Sequence, residues 1–353
     1  MSMDKVKIKA FTDRCFNDMA GAMSAGLVYV GIRTGLFTAM AQRGPMSVAQ
    51  VVNASQLEPR YVEEWLNGMA AADYLHYDPG ARTFEFPDEH AYLLASEGTD
   101  HFAGGMFHMA PALLAVAPKV ADAFVDGGGV DFEEFGDDGI YALDLINRGN
   151  YQHRLVNYWL NALPEVIATL EVGATGLDIG CGVGHATLAL ATAFPNSRFV
   201  GVDLDQTSID QARANATEQD LSNRVRFIAE PLENLAVEET FEFITACDCV
   251  HDFADPHALL SNLRTRLNSN GTMLVIEPKA SDHLEDNCHP IGAMFYGFSV
   301  FHCMTQSLAA GGPGLGTCMG PAKLEALMKQ AGFSRCEQLD IKSNVNMFFA
   351  VRP

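Results

Sequence analysis

Thr175-Gly176-Leu177-Asp178-Ile179-Gly180-Cys181-Gly182-Val183-Gly184-His185 is the stretch that decides the fold. Its order predicts a short strand, a glycine turn and a helix. Glycine is required where the backbone takes positive φ or must approach a ligand closely. A strand, a glycine turn and a helix in succession form the frame of a nucleotide-type site. The spacing then separates two kinds of site. A dinucleotide fingerprint needs G-x-G-x-x-G, whereas here the third glycine falls at 184 and position 185 is His. Asp178, two residues before the first glycine, can accept from amides of the turn or, through water, from a ligand amino group. One unit later, Gly201-Val202-Asp203-Leu204-Asp205 ends the next strand in an acid able to accept from two ribose hydroxyls.

Working outward, the same alternation continues to the end of the chain. Strands are expected at Gly176–Ile179, Arg198–Val202, Arg224–Ile228, Phe241–Cys247, Thr272–Ile276 and Asn346–Val351, with helices at 185–194, 207–219, 256–267 and 322–331. Strands alternating with helices predict an α/β fold with an open, doubly wound parallel sheet. Upstream the pattern is helical. Phe11 to Met40 spaces large apolar residues among small ones, as a helix pair that needs a covering partner would. Ser47 caps a short helix, Gln56-Leu57-Glu58-Pro59 breaks the chain, and Arg60 to Leu75 places Val62, Trp65, Leu66, Met69 and Ala70 on one face. His76 to Phe86 reads as a hairpin. Two short helices and a hairpin make a winged helix-turn-helix. A helical region from Thr99 to about Ala168 carries the glycine run 127–129, and the domain boundary is expected near Pro164, giving domains 1–164 and 165–353.

Bulk properties narrow the function. A chain of 353 residues, 48% hydrophobic and 19% charged, is a folded protein with room for two cores. A net charge of −21 repels a phosphate backbone, so nucleic acid is not an expected partner. The start, Met1 to Lys7, is followed by no apolar stretch long enough for a secretory signal, and no run of about 18 apolar residues suggests a membrane span. The eight cysteines form no C-x-x-C pair, which fits reduced thiols in the cytoplasm.

Asp178-x-Gly180-x-Gly182-x-Gly184 with Asp203 resembles motifs I and II of class I S-adenosylmethionine methyltransferases, over about the last half of the chain. The resemblance implies a Rossmann-like, doubly wound, mostly parallel seven-stranded sheet. It places Gly180, Cys181, Gly182 and Gly184 against the methionine part of the cofactor, Asp203 on the ribose and Leu204 on the adenine face. The family often has an acid after the third strand for the adenine amino group; here Pro231 fills that slot and Glu230 precedes it, leaving the contact to backbone or to Glu230. The N-terminal half is similar to the winged-helix domain of plant and bacterial small-molecule O-methyltransferases, especially to a bacterial group that shares segments like Asp18-Met19-Ala20-Gly21-Ala22-Met23 and Gly35-Leu36-Phe37. That implies a homodimer whose winged helix helps roof the substrate pocket. Glu58, Glu63 and Glu64 against Arg60 on the second helix fit this role better than DNA binding.

Methyl transfer from a sulfonium needs in-line positioning and a deprotonated nucleophile. The fourth strand delivers Asp248 near the cofactor and His251-Asp252 as base and orienting carboxylate, or as metal ligands. A second polar group follows the fifth strand, with Glu277, Asp282, His283, His289, His302 and Ser307. His251 with His302 is similar to the metal-holding histidine pair of bacterial 2-oxo acid C-methyltransferases, where iron or zinc would sit. A histidine beside Phe301 also reads as a buried pocket residue, and no metal is the expected state. His108, Tyr141 and Tyr151 are expected to face the acceptor, and Arg148 or His153 to hold a carboxylate. The glycines from 311 to 316 form either a loop over the site or a structural turn. Oxygen is the default acceptor atom; carbon of a 2-oxo acid, sulfur of a thioether acid, and a non-catalytic cofactor-sensing regulator are the alternatives.

Overall fold

The computed structural model describes residues 3–235 and 239–353. Contacts divide the chain differently from a single cut near Pro164. One unit comprises residues 1–112 and 137–149, the other 113–136 and 150–353.

In the first unit, helix α1 spans Lys5–Arg33, α2 Leu36–Met40, α3 Val48–Ser55 and α4 Pro59–Ala71. Ser47 and Gln50 form a reciprocal capping box at the start of α3, and Pro59 occupies the first turn of α4, where it forfeits no hydrogen bond. Val62, Trp65, Leu66 and Met69 face inward at helical spacing, each contributing about 1.5–3 kcal/mol of burial. Strands β1 (His76–Asp78) and β2 (Thr83–Glu85) pair antiparallel as the wing. Gly31 lets the core close: a Cβ there would stand 2.5 Å from the Trp65 ring and 2.6 Å from Phe37. Trp65 in turn donates its indole N–H to the Leu27 carbonyl at 2.8 Å. α1 itself buries only Val28 and Gly31.

The second unit holds a seven-stranded sheet of β3 (Thr175–Ile179), β4 (Arg198–Val202), β5 (Val225–Ile228), β6 (Phe241–Cys247), β7 (Leu267–Pro278), β8 (Arg335–Gln338) and β9 (Asn346–Arg352). Its order is β5-β4-β3-β6-β7-β9-β8, with the first five strands parallel and the last two pairings antiparallel. Both faces are covered. Along β9, Phe348 and Ala350 enter one buried cluster while Met347, Phe349 and Val351 enter the other, the alternation a two-sided strand requires. The edge strand β8 escaped sequence reading because its side chains are mostly exposed and carry no apolar run. Strand order reverses between β3 and β6, so their carboxyl ends flank the crevice where ligands of doubly wound sheets bind. No single helix among the described residues is long and apolar enough to cross a membrane; the pair Gly104–Ala115 and Ala117–Asp126 reaches that length only together, across a 51° bend.

Candidate active site

The turn after β3 is built on backbone that other residues resist. Gly180, Gly182 and Gly184 have φ of +65°, +50° and +85°, where a side chain costs about 1–2 kcal/mol. A Cβ on Gly184 would also meet the Phe227 ring at 2.6 Å, and one on Gly180 the Cys249 Cβ at 2.9 Å. Beside Gly182 nothing lies within 4 Å, so that stretch of backbone is open to close approach. Cys181 is half-buried, its sulfur packed toward Gly201, and burial pushes its thiol well above the ordinary range.

Two carboxylates flank this turn in different ways. Asp203, following β4, accepts from the Gly182 amide at 2.8 Å and from the Asp205 amide at 3.0 Å. Asp178 instead accepts from the Thr187 hydroxyl at 2.6 Å and the Thr245 hydroxyl at 2.7 Å. The expectation that Asp178 takes amides of the turn is therefore corrected. Its side chain leaves β3 toward Thr245 on the neighbouring strand and is 2% exposed, whereas Asp203 lies past the strand end, level with the turn. Burial pushes the Asp178 carboxyl up to about 6, against the pull of the two threonines.

This shift has a measurable sign. Between about pH 4 and 6 the folded chain holds a proton at Asp178 that the unfolded chain has released, so stability falls as pH rises through that window. Moving from 3.8 to about 6 corresponds to a penalty of the order of 3 kcal/mol above it. Asp178→Asn is expected to melt higher than wild type at neutral pH and to show a flatter profile from about pH 4 upward. Thermal unfolding across a pH series checks this; a lower midpoint at neutral pH would mean that the threonine bonds to the ionised carboxylate outweigh its burial.

Leu204 projects 73% exposed immediately after Asp203. Glu230, also exposed, accepts from the Asn234 side chain at 3.3 Å. At the end of β6, Asp248 takes φ of +51°, unusual for a residue with a side chain, and accepts from the Asn346 amide group at 3.1 Å. Burial pushes its carboxyl up to about 7, with Glu277 adding to the effect. Tyr151 belongs to the same neighbourhood: burial raises its phenol well above the ordinary value, and the charge of Asp248 raises it further.

His251 lies on the short turn Val250–Asp252 that follows, 2% exposed. Its Nδ1 meets Glu277 Oε2 at 2.5 Å, and the other Glu277 oxygen accepts from the Val250 amide at 3.0 Å. Its Nε2 stands 3.4 Å from Asp252. The carboxylate at Nδ1 is thus Glu277 rather than Asp252, because Glu277, near the end of β7, lies beside the turn while Asp252 reaches the opposite ring nitrogen. Burial disfavours a charged ring here, but Asp252 and Glu277 together outweigh it and hold the imidazole well above its usual pKa. Sequence reading had placed Glu277 in a separate polar group; its signal is that it is the one charged residue closing the apolar run Met273-Leu274-Val275-Ile276.

His302 rests on a π-helical turn, Ser299–Cys303, between helices Pro290–Phe298 and Met304–Ala309. It packs against Phe132 at 5.9 Å and Phe135 at 4.7 Å between ring centres, and its Nε2 is buried without a hydrogen-bond partner. Burial lowers its pKa, which favours the neutral ring. The donors that converge on His251 among the described residues are Asp252 and Cys303, not His302. Cys303 Sγ meets His302 Nδ1 at 3.7 Å and accepts from the Thr317 hydroxyl at 3.1 Å. Ser307 was expected to face the acceptor, yet it is 1% exposed. Its hydroxyl donates to the Phe253 carbonyl at 3.2 Å and accepts from the Gly314 amide at 3.3 Å. With Gly316 N–H donating to the His251 carbonyl at 3.3 Å, the glycine-rich loop is anchored at both of these residues.

In the first unit, His108 is 3% exposed, has no partner at either ring nitrogen, and sits 4.9 Å from the Tyr29 ring and 5.0 Å from that of Tyr141. Tyr141 reaches Glu97 at 3.4 Å. Arg148 was expected to hold a ligand carboxylate, but it is engaged by the chain's own Asp144 and Glu97.

Residues 170–331 match the model of a methyltransferase domain, and residues 22–96 that of an Rv2258c-like winged HTH domain. Among solved structures, a putative O-methyltransferase from Nostoc punctiforme is 18% identical with a TM-score of 0.73, each chain covered in full. Human N-acetylserotonin methyltransferase, solved with SAM, is 19% identical with a TM-score of 0.70, over 99% of this chain and 98% of that one. Among curated proteins, malonyl-[acyl-carrier protein] O-methyltransferase of Priestia megaterium is 30% identical over 123 residues, which are 35% of this chain and 41% of that protein. The ubiquinone biosynthesis O-methyltransferase of Bartonella quintana is 38% identical over 28% of this chain and 39% of its own length. The chain thus spans about two fifths of the curated relatives it matches.

Proposed function

From a chain that joins a methyltransferase domain to a winged helix-turn-helix domain, we propose an enzyme that transfers a methyl group from S-adenosylmethionine to an oxygen of a small molecule. The observation that carries this is the Glu277–His251 pair at the ends of β6 and β7, on the same sheet edge as the open glycine turn of β3. S-adenosylmethionine, when bound, supplies an activated methyl group on a sulfonium. The open backbone at Gly182 and the carboxylate of Asp203 suit it. Each Asp203 oxygen accepts one amide and keeps a lone pair for a ribose hydroxyl. Leu204 offers an apolar face to the adenine, Glu230 an acceptor for its amino group, and Asp248 with Asp178 negative charge on the amino acid side.

His251 is assigned as the base. Glu277 fixes the ring through Nδ1, which leaves Nε2, beside Asp252, for the acceptor hydroxyl, and the two carboxylates stabilise the imidazolium formed when the neutral ring takes the proton. An oriented base is what a hydroxyl needs and what a thioether, which has no proton to lose, does not. This favours oxygen over sulfur as the acceptor atom. His302 and Tyr151 are assigned to the acceptor, and Ser307 to the loop that it anchors. Incubation with methyl-labelled S-adenosylmethionine and a panel of phenols, hydroxy acids and thioethers tests the reading. Label is expected in a methyl ether or ester; transfer only to sulfur or carbon would overturn it.

The protein is further assigned as a cytoplasmic homodimer without nucleic-acid partners. α1 exposes Phe11, Phe16, Met19 and Met23, each more than half accessible, and a second copy would cover that stripe. Phe11→Asp with Phe16→Asp is expected to turn a dimer into a monomer in sedimentation equilibrium; a wild-type monomer would sink the assignment. On α4, Arg60 is tied to Glu64, leaving no free cation there to meet a phosphate.

A further inference from the structure

Cys303 takes no part in the scheme above, yet its position relates to it. The Sγ of Cys303, a ring nitrogen of His251 and a carboxylate oxygen of Asp252 all lie within 4.8 Å of one another. His251 and Cys303 are buried and Asp252 partly so, and Asp252 Oδ1, 3.4 Å from His251 Nε2, makes no hydrogen bond. We propose that His251, Asp252 and Cys303 form a site for a divalent transition metal of the zinc class.

Four features support this. The donors are one imidazole, one carboxylate and one thiolate, a borderline-soft set that suits zinc and does not suit magnesium or calcium. Donors around a tetrahedral zinc are about 3.3–3.8 Å apart, given bond lengths near 2.0–2.3 Å, so side-chain rotations of about an ångström close the set. His251 already carries the outer support such a site needs, since Glu277 holds its Nδ1 at 2.5 Å and directs Nε2 to the metal position. Finally, Thr317 donates to Cys303 at 3.1 Å, a bond that stabilises a thiolate. On binding, the thiol proton of Cys303 and any proton on His251 Nε2 leave to solvent, and three bonds to the metal replace them. A fourth position remains for water or a small ligand. Filling the site takes Nε2 away from the acceptor proton, so the metal acts as an inhibitor of the base; that consequence, unlike the binding, rests on the methyltransferase reading.

The test is equilibrium dialysis of the chelator-stripped, full-length protein against Zn²⁺, with neither cofactor nor acceptor present. One zinc per chain is expected, with Kd below about 1 µM. Cys303→Ser and Asp252→Asn should each weaken it at least about tenfold, and Glu277→Gln by about 10- to 100-fold. Co²⁺ bound to wild type should show thiolate-to-cobalt charge-transfer absorption that Cys303→Ser lacks. No uptake by folded wild type at micromolar zinc, a cobalt complex without the thiolate band, or undiminished binding by Cys303→Ser would each overturn the site. The wild-type measurements stand even where a variant fails to fold, and a missing metal would leave methyl transfer untouched.

Discussion

Asp203→Ala is expected to weaken binding of S-adenosylhomocysteine by about a hundredfold in calorimetric titration. Two ribose hydroxyls would lose a charged acceptor, and hydrogen bonds to a charged group are worth about 1.5–3 kcal/mol each. The substitution also frees the Gly182 amide, held by this carboxylate at 2.8 Å, so the turn loses a strut as well. Asp203→Asn separates the two contributions. An asparagine keeps one carbonyl oxygen for the Gly182 amide but offers an uncharged acceptor, and should fall between alanine and wild type. Unchanged affinity in Asp203→Ala would remove Asp203 from the cofactor site, whatever the fold resembles.

Removing the His251 imidazole should lower kcat by about 10²–10⁴, the usual worth of a positioned general base. Cofactor affinity should stay near wild type, because His251 follows β6 and the glycine turn follows β3. Glu277→Gln should reproduce part of the loss: the amide fills the same space but no longer supports positive charge on the ring, from which it now sits at 2.5 Å. Glu277 acts through His251, so it is a positioning residue, and its loss should appear in kcat far more than in KM. Single-turnover rates of methyl transfer provide the check. A His251→Ala enzyme at wild-type rate would instead mean that the acceptor arrives already ionised or needs no base.

The glycine turn was legible because its signals are local. Positive φ at three positions demands glycine, the G-x-G-x-G spacing follows from one turn, and an acid after the next strand falls one strand–helix unit away. The winged helix was legible for a similar reason, its caps, Pro59 and inward face all lying within one short stretch. Where signals are long-range, sequence reading failed or stayed open. Glu277 and His251 are 26 residues apart and meet only because β6 and β7 are parallel neighbours. Ser307 looked available beside His302, yet the loop through Gly314 claims its hydroxyl.

The stretch from Thr175 to His185 therefore determined, unaided, that a strand ends in a glycine turn suited to a nucleoside-like ligand and not to a dinucleotide. Backbone sterics act over a few residues and need no partner, which is why a sequence can state them. Which carboxylate holds that turn, which one orients the histidine, and that Cys303 rather than His302 converges on it were decided by the tertiary structure. Those outcomes depend on sheet register and on the direction a side chain takes from a π-helical turn, and both are set by packing among residues far apart in the chain.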